Sequence, residues 1–145
     1  MPKILGIDPG TGIVGFGCIE ADNRSMKMID AGVIRTPAHQ AAELRLLTIY
    51  NEVNQLINDF RPDCLSIEKL FFARNVTTAM TVSQSRGVVL LAAIQSHLQI
   101  SEYTPPQRFI KTVTAFFDSK ILNGYFGGYK EVLSIYTRGF YRLSQ

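Results

Sequence analysis

Cysteine and histidine are scarce in this chain of 145 residues, with two of each. His39 and His97 stand far apart, and no His/Cys spacing of a zinc site is present. Cys18 and Cys64 fall inside expected strands, which predicts buried free thiols rather than a disulfide. There is no run of about 18 apolar residues, so no transmembrane helix is expected. The first residues enter a strand almost at once, without the charged, apolar and small-residue regions of a secretory signal. A cytoplasmic protein without a membrane partner is the expectation. No Gly-x-Ser-x-Gly nucleophile elbow occurs. Acidic residues are rare towards the C-terminus, where only Asp118 and Glu131 follow residue 107.

The composition that remains is that of a single globular domain, 46% hydrophobic and 19% charged. The net charge of +3 is a weak pointer to an anionic partner. Its distribution is uneven. Residues 1–107 carry nine Lys/Arg against ten Asp/Glu, a balance of −1, whereas residues 108–145 carry six against two, a balance of +4. Nine of the fifteen Phe and Tyr residues also lie in that last segment.

Local patterning predicts strands over Lys3–Ile7, Ile13–Glu20 and Lys27–Arg35, joined by short turns as an antiparallel meander. Leu46, Ile49, Tyr50, Val53, Ile57 and Phe60 recur at helical spacing within a helix from Ala41 to Phe60, and Pro62 stops it. Cys64–Ile67 is a short apolar run, read as a buried strand that ends in Glu68. Asn75 is suited to cap a helix from Val76 to Leu98. Ile100–Thr104 is a fifth strand, closed by Pro105-Pro106. The order β-β-β-α-β-α-β predicts an α/β fold, a mixed five-stranded sheet flanked by helices. After Pro106 no clean period continues.

Candidate chemistry gathers at two strand ends. The stretch Gly6-Ile7-Asp8-Pro9-Gly10-Thr11-Gly12 ends an apolar strand in one aspartate. It admits two readings: a carboxylate facing a metal crevice, or a glycine turn cradling the phosphates of a nucleotide. Glu68 ends the fourth strand. If those strands are neighbours, the two carboxylates share one crevice. Such a pair suits Mg²⁺, a hard cation that prefers oxygen ligands, and paired ions of this kind promote phosphodiester cleavage. The plainer alternative makes Asp8 a turn residue and Glu68 a solvated strand end. Next to Glu68, Lys69-Leu70-Phe71-Phe72-Ala73-Arg74-Asn75 sets two aromatics between two cations, a composition that suits stacked bases and tracked phosphates. A hydrophobic staple for the following helix is the alternative. Arg86 is a further candidate phosphate contact. The helix from Val76 has a small-residue face around Gly87, read either as an intramolecular contact or as a homodimer seam.

Together, Gly6-Ile7-Asp8-Pro9-Gly10, Ser66-Ile67-Glu68-x-x-Phe71-Phe72-x-x-Asn75 and Gln84-x-Arg86-Gly87-Val88 resemble the RuvC-type Holliday junction resolvases, a family with the ribonuclease H-like fold. The resemblance covers residues 1–107, roughly three quarters of the chain. It implies a homodimeric, Mg²⁺-dependent endonuclease, with Mn²⁺ as a substitute, that nicks four-way DNA junctions symmetrically in recombination and repair. It also implies a partnership with the branch-migration helicase of that pathway. Asp8 and Glu68 match metal-binding catalytic carboxylates, and Phe71 matches a DNA-contacting aromatic. Lys69, Arg74, Asn75 and Arg86 fall in the same DNA-binding context.

The family completes its site with an acidic pair on a helix near the C-terminus, and residues 108–145 hold no matching pair. The basic, aromatic-rich tail is therefore expected to replace the usual C-terminal helices, through a frameshift or an altered gene end. Three other readings stand beside this one. The opening stretch also resembles the first phosphate loop of actin-like ATPases and sugar kinases, which need a much longer chain. It shares a start with resolvase-like nucleases of ribosomal RNA processing. A chain without the acidic pair could also bind junctions and not cut them.

Overall fold

The computed structural model describes residues 2–10, 12–21, 25–70 and 76–103. Within these, seven elements follow the expected order: β1 Lys3–Asp8, β2 Ile13–Ala21, β3 Met26–Arg35, α1 Ala42–Phe60, β4 Cys64–Glu68, α2 Val76–Gln95 and β5 Gln99–Tyr103. The strands form one five-stranded sheet in the order β3-β2-β1-β4-β5. β1 and β2 are antiparallel, as are β2 and β3, while β1 and β4 run parallel. The mixed sheet expected from the sequence is the one observed. The stretch after Pro106, where the sequence gives no clean period, lies outside the described residues.

Register defines a buried face. Leu5 is aligned with Cys18 and with Leu65, Ile7 with Ile67, and Val14 with Ile34. All seven are buried in one cluster, together with Ile49, Val53 and Ile57 of α1 and Val89, Ala92 and Ala93 of α2. Each α1 residue of that set lies four positions from the next, so one helical stripe meets the sheet. Small alanines on α2 let the two helices pack closely, and the Tyr50 hydroxyl donates to Gln95 Oε1 between them. Phe16 reaches over Gly32, and its ring lies 6.4 Å from that of Phe60. Alternation along the strands turns Gly6, Asp8, Ser66 and Glu68 to the other side of the sheet.

The helix ends explain how the strands are delivered. Arg61 adopts a left-handed conformation at φ 49°, and its N–H donates to the Ile57 carbonyl. The chain then reverses through Pro62. Lys3 and Asp63 exchange hydrogen bonds: the Lys3 N–H donates to Asp63 Oδ2 at 2.7 Å, and the Asp63 N–H to the Lys3 carbonyl at 2.9 Å. Lys3 Nζ also donates to the Phe60 carbonyl at 3.2 Å, where a cation suits the helix C-terminus. These contacts tie the start of β4 to the start of β1 and so fix their register.

α2 ends at Gln95, three residues before the expected Leu98. His97 sits at φ 57°, with its N–H donating to the Ile94 carbonyl and the Leu98 N–H to that of Ala93. This is a Schellman closure built on histidine in place of the usual glycine. Both cysteines are free, as expected; Cys18 is buried and Cys64 half-buried. Among the described residues no helix is long and apolar enough to cross a membrane.

Candidate functional site

The parallel ladder between β1 and β4 ends at the pair Ile7 and Ile67. The next residue on each strand is the carboxylate singled out in the sequence, Asp8 on β1 and Glu68 on β4. Parallel strands lie about 4.8 Å apart, so equivalent positions bring two carboxylates to the same end of the sheet. This adjacency depends on the register set by Lys3 and Asp63 at the other end. The neighbouring strand leaves room beside Asp8, because its aligned residue on β2 is Gly15.

Electrostatics report the same proximity. Burial pushes the Asp8 carboxyl up from its ordinary 3.8 to about 7, and the nearby Glu68 charge adds to the rise. Burial also holds the Glu68 carboxyl above its usual range. Both shifts run upward, so desolvation outweighs any favourable charge at either group. Two half-buried, mutually repelling oxygen donors are the chemistry that a hard divalent ion relieves. Asp8 and Glu68 therefore fit such an ion as two of its ligands. Among the described residues, no further His, Cys, Asp or Glu joins them as a third.

The turn after Asp8 is held from behind. A Cβ on Gly10 would stand 2.2 Å from the Ile13 carbonyl oxygen, so a side chain there is incompatible with this turn. The Thr36 N–H donates to the Gly12 carbonyl at 3.0 Å, and Arg45 Nε donates to Thr36 Oγ1 at 3.0 Å. Arg45 thus links α1 through Thr36 to the glycine turn. Sequence reasoning did not single out Arg45. Its position one turn into α1 carries no motif, and only the fold brings it to Thr36.

Of the expected nucleic-acid contacts, Lys69 is exposed just beyond β4. Phe71, Arg74 and Asn75 lie outside the described residues. Arg86 is engaged within the chain: its Nε donates to the Glu68 carbonyl at 3.4 Å, and its NH2 group pairs with the Glu102 carboxylate. Glu102 was also missed, because it lies on β5, sixteen positions from its partner. A separation of that length carries no local signal.

Comparison with known proteins identifies the family and the fold. The family model described as crossover junction endodeoxyribonuclease RuvC matches residues 4–118. The crossover junction endodeoxyribonuclease RuvC of Heliobacterium modesticaldum is 49% identical over 104 residues, covering 72% of this chain and 64% of that protein. The protein of the same name from Desulfitobacterium hafniense is 50% identical over 104 residues, covering 72% and 63%. This chain thus spans less than two thirds of the length of these curated relatives. Among solved structures, Thermus thermophilus RuvC in complex with Holliday junction substrate superposes with a TM-score of 0.70 at 27% identity, covering 79% of this chain and 71% of that one. The Fowlpox virus Holliday junction resolvase shares the fold, with a TM-score of 0.56 at 16% identity over 99% of both chains. With the family match extending from β1 through β5 and carrying both strand-end carboxylates, the chain belongs to the RuvC family of crossover junction endodeoxyribonucleases.

Proposed function

We propose that this chain binds four-way DNA junctions and nicks them by Mg²⁺-dependent phosphodiester hydrolysis. The observation that carries the proposal is the pair Asp8 and Glu68, brought to one end of the sheet by the β1–β4 register. Both would hold the metal, which when bound supplies Lewis-acid activation of water and stabilisation of the leaving oxygen. Asp8 gives up a proton before it can serve, because its carboxyl titrates near 7. The Gly10 turn keeps Asp8 at the rim of the crevice, and Lys69 lies where a phosphate would pass. Phe71 and Asn75, with Arg74, are proposed to contact DNA beside the crevice, Phe71 by stacking.

Self-association is proposed to run along α2. Val76, Met80, Leu91 and Ile94 are all exposed, between 49% and 66%. Together with Gly87 they recur at helical spacing and form one outward stripe, which a second copy would cover. A homodimer would offer two metal crevices to the two strands of a symmetric junction. Partnership with a branch-migration helicase belongs to the same proposal. Residues 1–107 are proposed as the working domain.

A second reading is favoured by one sequence feature. The acidic pair expected near the C-terminus is missing, and Asp118 and Glu131 are the only acids after residue 107. On that reading the chain recognises junctions without cutting them. Incubation with a four-way junction in Mg²⁺ separates the two: nicks support the endonuclease, and retarded but intact junctions support recognition alone.

A further inference from the structure

Arg86 joins three elements through one guanidinium. It projects from α2, its Nε donates to the carbonyl of the last residue of β4, and its NH2 group pairs with Glu102 on β5. Its side chain is only 17% exposed, against 40% for Glu102. The geometry suits arginine in particular, since a planar fork presents two donors at a fixed angle. The acceptor on β4 is also unusual. The β1–β4 ladder stops at Ile7 and Ile67, so the Glu68 carbonyl lies one step beyond the last rung. Arg86 gives that strand end an anchor from α2.

The contact spares the group that matters most. Arg86 takes the main-chain oxygen of Glu68 and gives its NH2 group to Glu102. Glu102 holds the other arm of the guanidinium while Nε rests on the strand backbone.

We infer that Arg86, held by Glu102, is a positioning residue: it fixes where the end of β4 delivers the Glu68 carboxylate and leaves that carboxylate to a divalent cation. The inference rests on the proposed metal-binding role of Asp8 and Glu68, and it assigns Arg86 to the metal crevice rather than to a DNA phosphate. Glu102 has a part as well. Without its charge, Arg86 is released to approach the Glu68 carboxylate and compete with the cation.

The test is a titration with Mn²⁺, followed by electron paramagnetic resonance, on the full chain and on four variants, with the melting temperature of each. Asp8→Asn identifies the binding that belongs to the crevice. Arg86→Gln and Glu102→Gln are expected to weaken that Asp8-dependent binding by about tenfold, the usual effect of removing a group that orients a metal ligand. Arg86→Lys is expected to recover part of it, because a lysine can keep one of the two contacts. Glu102 is well exposed, so Glu102→Gln remains informative even if Arg86→Gln does not fold. A fork with a purely structural role lowers the melting temperature and leaves Mn²⁺ affinity, measured well below it, unchanged. That result overturns the inference and leaves the metal crevice standing. If the unmodified chain shows no Asp8-dependent Mn²⁺ binding, the metal reading fails and takes this inference with it.

Discussion

At the scale of single residues, the raised carboxyl of Asp8 ties stability and metal affinity to pH. Folded Asp8 holds its proton up to about 7, well above its ordinary 3.8. The folded chain therefore binds more protons than the unfolded chain between these values, and stability falls as pH rises through that window. Below it the penalty is absent. Asp8→Asn removes the ionisation, so this variant should be the more stable form at pH 8, by on the order of 2 kcal/mol, and should gain nothing at pH 3. Urea unfolding at both pH values checks this; parallel curves for the two proteins would show that Asp8 is not held in a desolvated, repelling pair. Mg²⁺ should narrow the gap at pH 8 by stabilising only the chain that retains Asp8. Gly10 gives a second prediction. Gly10→Ala sets its Cβ against the Ile13 carbonyl and should cost about 1–3 kcal/mol in the same assay.

At the scale of elements, α2 carries the clearest conflict between stability and surface. Gly87 lies inside the helix, and apart from its neighbours and the surrounding helix backbone nothing lies within 4 Å of where its Cβ would stand. Gly87→Ala should therefore stabilise the isolated chain by about 1 kcal/mol. If the exposed stripe is the dimer seam, the same change should weaken self-association, read by sedimentation at several concentrations. A variant that is more stable and associates unchanged would place the seam elsewhere. This element also shows where the sequence was legible. The apolar spacing of Ile49, Val53 and Ile57 made α1 readable to within a residue, because one face meets the sheet. The end of α2 was not readable, since the closing left-handed residue is His97 and no glycine marks the stop. Asp8 and Glu68 were legible as strand-end acids, each interrupting an apolar run. Their adjacency was not, because it depends on the pairing of β1 with β4 across some sixty residues, tied by Lys3 and Asp63. Arg86 was singled out as a candidate phosphate contact, and its partners within the chain were not legible: only the packing of α2 against β4 and β5 brings it to Glu68 and Glu102.

At the scale of the whole molecule, the sheet brings Asp8 and Glu68, the two proposed metal ligands, to one end, while residues 108–145 contribute only Asp118 and Glu131 as acids. Two carboxylates hold Mg²⁺ less firmly than a fuller set. Titration calorimetry should accordingly give weaker binding than for a relative with the acidic pair; tight binding of two ions per chain would contradict that expectation. The most direct test of the central claim uses a labelled mobile four-way junction and a linear duplex of matching sequence. Each is incubated with the chain and with Asp8→Asn, in Mg²⁺ and in chelator. The account predicts slow, symmetric nicks in the junction alone, requiring Mg²⁺ and lost in the variant. Nicks that persist in Asp8→Asn, or that fall equally on the linear duplex, would contradict it.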